Sequence, residues 1–283
     1  MATWKPAFVN AQTGTTTRIR YRLKVQGNLV SVTKKVANAL TPCHVPRGIV
    51  TTFTKGARLR MLKTIAKIDW GRVPFGVFVT LTYPDGYWTR DYHQRTIDRS
   101  RFIRDLEKHI DREVSILWRC EWTRRKSGKK KGQIAPHLHL MCLGVRFVAA
   151  DVVRRLWRGV LQADGPLATD VRGITGKEGC GRYLAKYISK SASLDNAAYL
   201  NNPHMAGRAW GITRPNLVPW ADVEHDREIS EEEYHAAVAA YLEVYSNPLA
   251  EAQKSFTLIG EARKDLFVKN LDYEACGPSR DRL

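Results

Sequence analysis

His137 and His139 are separated by one apolar residue in Pro136-His-Leu-His-Leu140, inside a run of strand-forming residues that continues through Met141, Cys142 and Leu143. Side chains alternate along a strand, so both imidazoles share one face while Leu138 and Leu140 take the other. Two nitrogen donors on one face suit a divalent metal, although the same spacing also serves a purely structural pair. The preceding apolar stretch contains Trp118-Arg-Cys-Glu-Trp122. If the chain folds back between the two stretches, this strand lies antiparallel beside the histidines and can bring Glu121 opposite His139. Two imidazoles and a carboxylate would form a three-ligand site with positions left open for a substrate oxygen. That mixed donor set admits Mg²⁺, Mn²⁺ or Zn²⁺.

A second group with chemical potential is Tyr183-Leu-Ala-Lys-Tyr-Ile-Ser-Lys190. At helical spacing Tyr183 and Tyr187 lie one turn apart, as do Lys186 and Lys190, and each tyrosine has a lysine three residues on. A phenol of pKa about 10 stays protonated near neutrality. A nucleophilic tyrosine therefore needs a proton acceptor or positive charge nearby, and these lysines would supply the charge or stabilise a phosphorane-like transition state. Alone, the pattern also describes an amphipathic helix whose aromatic residues cover a core.

The elements that must position these groups are readable on either side. Residues 75–83 form a β-rich run stopped by Pro84-Asp-Gly. A helix is expected over 91–110 with Ile97, Phe102, Ile103 and Leu106 as its apolar stripe, then strands over 114–123 and 134–144. The latter two are joined by the basic loop Arg124-Arg-Lys-Ser-Gly-Lys-Lys-Lys-Gly132, either a solubilising tip or a finger for phosphate. Val153, Leu156, Trp157 and Val160 predict a helix over 149–163. A short strand over 170–174 and a helix over 177–190 complete this region. Ser230-Glu-Glu-Glu233 reads as a capping box that opens a helix with Tyr234, Val238, Tyr241, Leu242 and Tyr245 on one side.

With 283 residues, 43% hydrophobic and 26% charged, the chain has ordinary globular composition. Its formal net charge of +18 makes a polyanion the expected partner, nucleic acid before any membrane surface. Basic residues from Lys5 through Arg18, Arg20, Arg22 and Lys24 to Lys67 stand against Asp69 alone in the first seventy positions, a candidate phosphate-binding surface. The balance reverses after Asp222. Three regions are therefore expected: a basic N-terminal segment 1–44, a central domain 45–220 and an acidic helical region 221–283. Five cysteines without a C-x-x-C pair are expected to be reduced. No long apolar run and no secretory leader is visible, so a soluble protein of the cytoplasm, with no membrane partner, is expected.

Taken in order, Phe78-Val-Thr-Leu-Thr-Tyr-Pro84, Glu121 ahead of Ala135-Pro-His-Leu-His-Leu140, and Tyr183 to Lys190 resemble the three motifs of the HUH endonucleases. The likeness is nearest to rolling-circle replication initiators of single-stranded DNA phages and related plasmids. It spans roughly 45–220, including Gly207-Arg-Ala-Trp-Gly211. The resemblance implies an α+β fold of RRM- or ferredoxin-like type, with a central antiparallel sheet flanked by helices, the histidine strand at its centre and the tyrosine helix over a metal. It implies Mg²⁺ or Mn²⁺ held by His137, His139 and Glu121, and cleavage of single-stranded or hairpin origin DNA. Tyr187 would be the first nucleophile and Tyr183 its partner, with Lys186 and Lys190 beside them. The products would be a 5′-phosphotyrosine and a free 3′-OH for a host polymerase. With no Gly-x-x-x-x-Gly-Lys-Ser/Thr stretch in the chain, unwinding would fall to a host helicase. Two other readings fit the residues: a transposase or relaxase of the same chemistry, and a non-catalytic DNA-binding protein whose tyrosines stack bases.

Overall fold

The computed structural model describes residues 18–37, 53–84, 92–124, 131–165, 167–176, 207–244, 255–260 and 263–267. In chain order the elements are β1 (Arg18–Gln26), β2 (Leu29–Ala37), α1 (Lys55–Ala66), β3 (Phe75–Thr82), α2 (Tyr92–His109), β4 (Ile116–Arg124), β5 (Ile134–Leu143), α3 (Ala150–Leu161), β6 (Thr169–Thr175), β7 (Trp210–Thr213), β8 (Val223–Ile229), α4 (Glu231–Val244), β9 (Ser255–Ile259) and a short helix α5 over 263–267. They fall into two units. One takes the described residues between 47 and 65 and between 69 and 219; the other takes those up to 46, 66–68 and those from 220 onward. No helix among the described residues is long and apolar enough to cross a membrane.

The larger unit is built on a five-stranded antiparallel sheet of order β6-β3-β5-β4-β7, with the histidine strand β5 in the middle. Its run β3-α2-β4-β5-α3-β6 follows a β-α-β-β-α-β order. One sheet face carries Val77, Val79, Leu81, Ile116, Trp118, Leu138, Leu140 and Cys142 into a core with Phe102, Ile103 and Leu106 of α2 and Val153, Trp157 and Val160 of α3. These side chains come from alternate strand positions and from 3.6-residue helix positions, as the spacing requires. Trp157 also donates its indole N–H to the Thr82 carbonyl at 3.1 Å, tying α3 to the end of β3. The expected helix stripe on α2 is buried at Phe102, Ile103 and Leu106, with Ile97 at its margin.

Two contacts fix the far edge of this sheet. Gly211 of β7 pairs with Trp118, and a Cβ at 211 would meet the Trp118 indole at 2.7–3.0 Å. The Trp118 ring is itself buried and covered by the Arg99 guanidinium at 3.6 Å, so it has little room to retreat. After β7, Arg214 turns through φ +51 and grips Glu107 of α2 through two hydrogen bonds, Nε to Oε1 at 3.0 Å and Nη2 to Oε2 at 2.8 Å. The Val114 N–H donates to the same carboxylate at 3.1 Å.

In the smaller unit, β1 and β2 form a hairpin about Gly27-Asn28 and join β8 and β9 in a four-stranded sheet of order β8-β1-β2-β9. Gly27 sits at φ +55, where a Cβ would meet the Ala66 carbonyl oxygen at 2.7 Å. Tyr21, Leu23, Val25, Val30, Val32, Ile229 and Leu258 meet Tyr234, Ala237 and Ala240 of α4 in a separate core. The capping box forms, with the Glu233 N–H donating to Ser230 Oγ at 3.1 Å and the Ser230 N–H to Glu233 Oε2 at 2.7 Å. Leu242, expected on the apolar side, is exposed, because the two alanines let the helix approach the sheet along a neighbouring stripe.

This unit revises the expected layout. The N- and C-terminal segments, treated apart in the sequence, share one sheet, and the C-terminal segment contributes strands as well as helix. Nor is the basic segment a bare phosphate surface. Arg22 Nε lies 2.6 Å from Asp226 Oδ1, Lys24 Nζ 3.3 Å from Asp226 Oδ2, and Arg20 3.9 Å from Glu228. The Arg22 hydrogen bond is the main cause that holds the Asp226 carboxyl below its usual range. The acidic strand and the basic strand are cross-strand partners.

Gly211→Ala is expected to lower stability by about 1–3 kcal/mol through overpacking against Trp118; an unchanged urea midpoint would show that the indole can move aside. For Glu107, burial pushes the carboxyl up, but the Arg214 hydrogen bond, the Val114 N–H and the Arg214 charge outweigh it, leaving the pKa below the ordinary value. Its contribution is therefore fully present above the unfolded-state value of about 4.3 and lost as pH falls through the lower folded value. Glu107→Gln is expected to cost about 1–3 kcal/mol near neutrality, toward the lower end because Arg214 is partly exposed. The urea-midpoint gap between wild type and variant is expected to close in acid.

Candidate metal centre on the central strand

The face of the sheet opposite α2 and α3 carries the histidines. Register sets what each one meets. Across β3 and β5, Thr82 pairs with His137 and Thr80 with His139; across β4 and β5, Glu121 pairs with His137 and Arg119 with His139. The expected register set Glu121 opposite His139, so the observed pairing is displaced by two residues. A two-residue displacement preserves the face, and Glu121 still reaches His139 across the diagonal, with Oε2 2.7 Å from Nε2.

Both imidazoles are also held at the other nitrogen. Thr82 Oγ1 lies 2.9 Å from His137 Nδ1, and Thr80 Oγ1 lies 3.1 Å from His139 Nδ1. The rings are nearly parallel, with centroids 6.2 Å apart and planes at 23°. Phe78, two residues before Thr80 on the same face, stacks on His139 at 5.6 Å. His139 is buried and His137 and Glu121 partly so. On the other side of Glu121, Arg119 is buried with its guanidinium carbon 4.8 Å from the centre of the Phe53 ring.

Burial of Glu121 pushes its carboxyl up, but the His139 hydrogen bond and the charges of His139, Arg119 and His137 outweigh that effect. Its pKa lies below the ordinary glutamate value, so the group is an anion near neutrality. The donor chemistry fits a divalent cation: two imidazole nitrogens and an ionised carboxylate on one face, the rings steered from behind. As the side chains stand, no group of three or more His, Cys, Asp or Glu among the described residues is gathered tightly enough to enclose an ion. Glu121 and His139 are in contact; His137 stands one strand position away.

Residues 76–192 match a family model of phage-type replication-associated proteins, described as Replication-associated protein ORF2. That segment belongs to the ORF2 replication-associated family. The family segment begins within β3 and ends two residues beyond Lys190, so it holds Thr80, Thr82, Glu121, His137 and His139 together with Tyr183, Lys186, Tyr187 and Lys190. Searches of curated proteins and of solved structures gave no match.

Tyr183, Tyr187, Lys186 and Lys190, and the helix expected over 177–190, lie outside the described residues, as does most of the basic loop. Thr80 and Thr82 were legible as part of a β-rich run but carried no assigned role, and Arg119 was read only as a neighbour for Glu121 to balance. The signal for the threonines was a Thr-x-Thr alternation that matches the His-x-His alternation in period. Removing the Arg119 charge with near-isosteric Met is expected to raise the Glu121 pKa, read by carboxyl ¹³C chemical shift against pH. An unmoved midpoint would assign the depression to His139 alone.

Proposed function

We propose that this chain initiates rolling-circle replication by nicking and rejoining single-stranded or hairpin origin DNA through a tyrosine nucleophile. Membership of 76–192 in a family of replication-associated proteins gives the biological setting. The observation that carries the chemistry is the arrangement of His137, His139 and Glu121 on one face of the central strands within that segment. The β-α-β-β-α-β order agrees with an RRM-like HUH nuclease fold.

In this reading His137, His139 and Glu121 hold a divalent ion, Mg²⁺ or Mn²⁺. When bound, the ion draws electron density from the scissile phosphate and makes phosphorus a better electrophile. The protein supplies the rest. Thr80 and Thr82 steer the rings, and Arg119 helps keep Glu121 ionised. Tyr187 is the first nucleophile: its phenol oxygen bonds to phosphorus, losing its proton, while the bond from phosphorus to the 3′ oxygen breaks and that oxygen leaves as a free 3′-OH. Lys186 and Lys190 offset the charge that builds on the phosphoryl oxygens. The DNA 5′ end remains as a phosphotyrosine. Because one phosphodiester is exchanged for another, attack by a 3′-OH reverses the step without ATP. Tyr183 provides a second nucleophile, so one DNA end can stay attached while the next copy is cut. The free 3′-OH serves a host polymerase, and a host helicase opens the duplex.

The test is covalent capture. With Mn²⁺ and an oligonucleotide carrying the cognate nick site, the purified protein is expected to form an adduct at the 5′ side of the cut, resistant to boiling in detergent. Tyr183→Phe with Tyr187→Phe should abolish it while leaving salt-sensitive binding, and His139→Ala should slow it by at least about a hundredfold. A cognate strand that is cut without any protein adduct would overturn the tyrosine mechanism, and full cleavage by His139→Ala would overturn the ion site.

A further inference from the structure

The threonines of β3 do more than fill a strand. His139 is hydrogen-bonded at both nitrogens, to Thr80 Oγ1 through Nδ1 and to Glu121 Oε2 through Nε2. An ionised carboxylate only accepts, so in this arrangement Nε2 carries the proton. A neutral imidazole has one N–H, which leaves Nδ1 as a lone pair, and the Thr80 hydroxyl donates to it.

An incoming cation needs the opposite tautomer. It takes the Nε2 lone pair, so the ring proton must reside on Nδ1, and the group behind Nδ1 must then accept. A hydroxyl is both donor and acceptor and can turn about its C–O bond between the roles. A valine methyl offers neither, and a carboxylate or amide carbonyl would fix one of them. Ring proton count is unchanged in the exchange: one N–H before, one after. His137 has the same support, Thr82 Oγ1 on its Nδ1. Register makes both pairs unavoidable, because Thr80 and Thr82 stand directly across the strand from His139 and His137.

We propose that Thr80 and Thr82 are positioning residues of the ion site, each orienting one imidazole through Nδ1, with the Thr80 hydroxyl reversing from donor to acceptor as His139 changes tautomer on ion capture. The proposal rests on the ion-site reading above and adds residues and a proton relocation to it.

The experiment uses the full chain without DNA. Mn²⁺ affinity is measured by electron paramagnetic resonance for wild type, Thr80→Val, Thr80→Ser, Thr82→Val and Thr82→Ser. Valine is expected to weaken binding by about tenfold to a hundredfold at either position, with serine restoring it. Valine favours strands, and far-UV circular dichroism verifies the fold. Independently, ¹⁵N imidazole shifts of wild type are read without ion and with Mg²⁺. His139 is expected as the Nε2–H tautomer without ion and as the Nδ1–H tautomer with it. Wild-type affinity in the valine variants overturns the positioning role; equal losses for serine and valine reduce the threonines to packing and overturn it as well. A ring that is already Nδ1–H without ion removes the exchange. Wild type that takes up neither ion overturns the ion-site reading itself, which is distinguishable from the threonine result because the loss then precedes any substitution.

Discussion

The pairing of β5 between β3 and β4 is the constraint on which the site depends. Side chains alternate with period two, so one decision about register assigns every group at once. Thr80, Thr82, His137, His139, Arg119 and Glu121 lie on one face because the two ladders agree in phase. A one-residue slip in either ladder would turn the histidines toward Val79 and Trp118 and into the core between sheet and helices. Burial of that core therefore enforces the chemistry on the opposite face. The apolar side chains of Leu138 and Leu140 are what keep His137 and His139 where they are.

The same principle explains which parts of the fold were legible. The strands and helices from β3 to β6 were readable because their apolar residues recur at clear periods over eight or more positions. Strand β1 was not recognised, although Ile19, Tyr21, Leu23 and Val25 alternate strictly with Arg18, Arg20, Arg22 and Lys24. Counting cations along that stretch hid its period, since every second residue was tallied as charge and the residues between were passed over. Strand β8 failed for the complementary reason. Six of its seven residues are exposed, so it carries almost no apolar signal of its own and is a strand by virtue of its partner.

Within the site, residue identity was legible and register was not. The choice of Glu121 followed from its chemistry and its distance from the hairpin. Whether it faced His137 or His139 depended on how many residues the basic loop consumes, which composition does not encode. Both registers keep the carboxylate on the histidine face, and the side chain is long enough to cover the difference. Thr80 and Thr82 went without a role because hydroxyls on a strand rank as strand formers until the partner across the ladder is known.

Net charge is the last quantity that the structure redistributes. A formal +18 suggests a polyanion partner, yet Arg20, Arg22 and Lys24 are matched on the neighbouring strand by Glu228 and Asp226. Exposed pairs of this kind contribute little to stability, but each one lowers the field available to an incoming phosphate. The attraction for DNA must then come mainly from cations lacking a carboxylate across a ladder. At the ion site the sign is reversed: Glu121 is the anion, held ionised in a largely buried position by imidazoles and a guanidinium. A phosphate approaching that carboxylate alone would be repelled. A divalent cation between them turns the same carboxylate from an obstacle into a ligand, which is why a basic chain benefits from keeping one charged acid on this face.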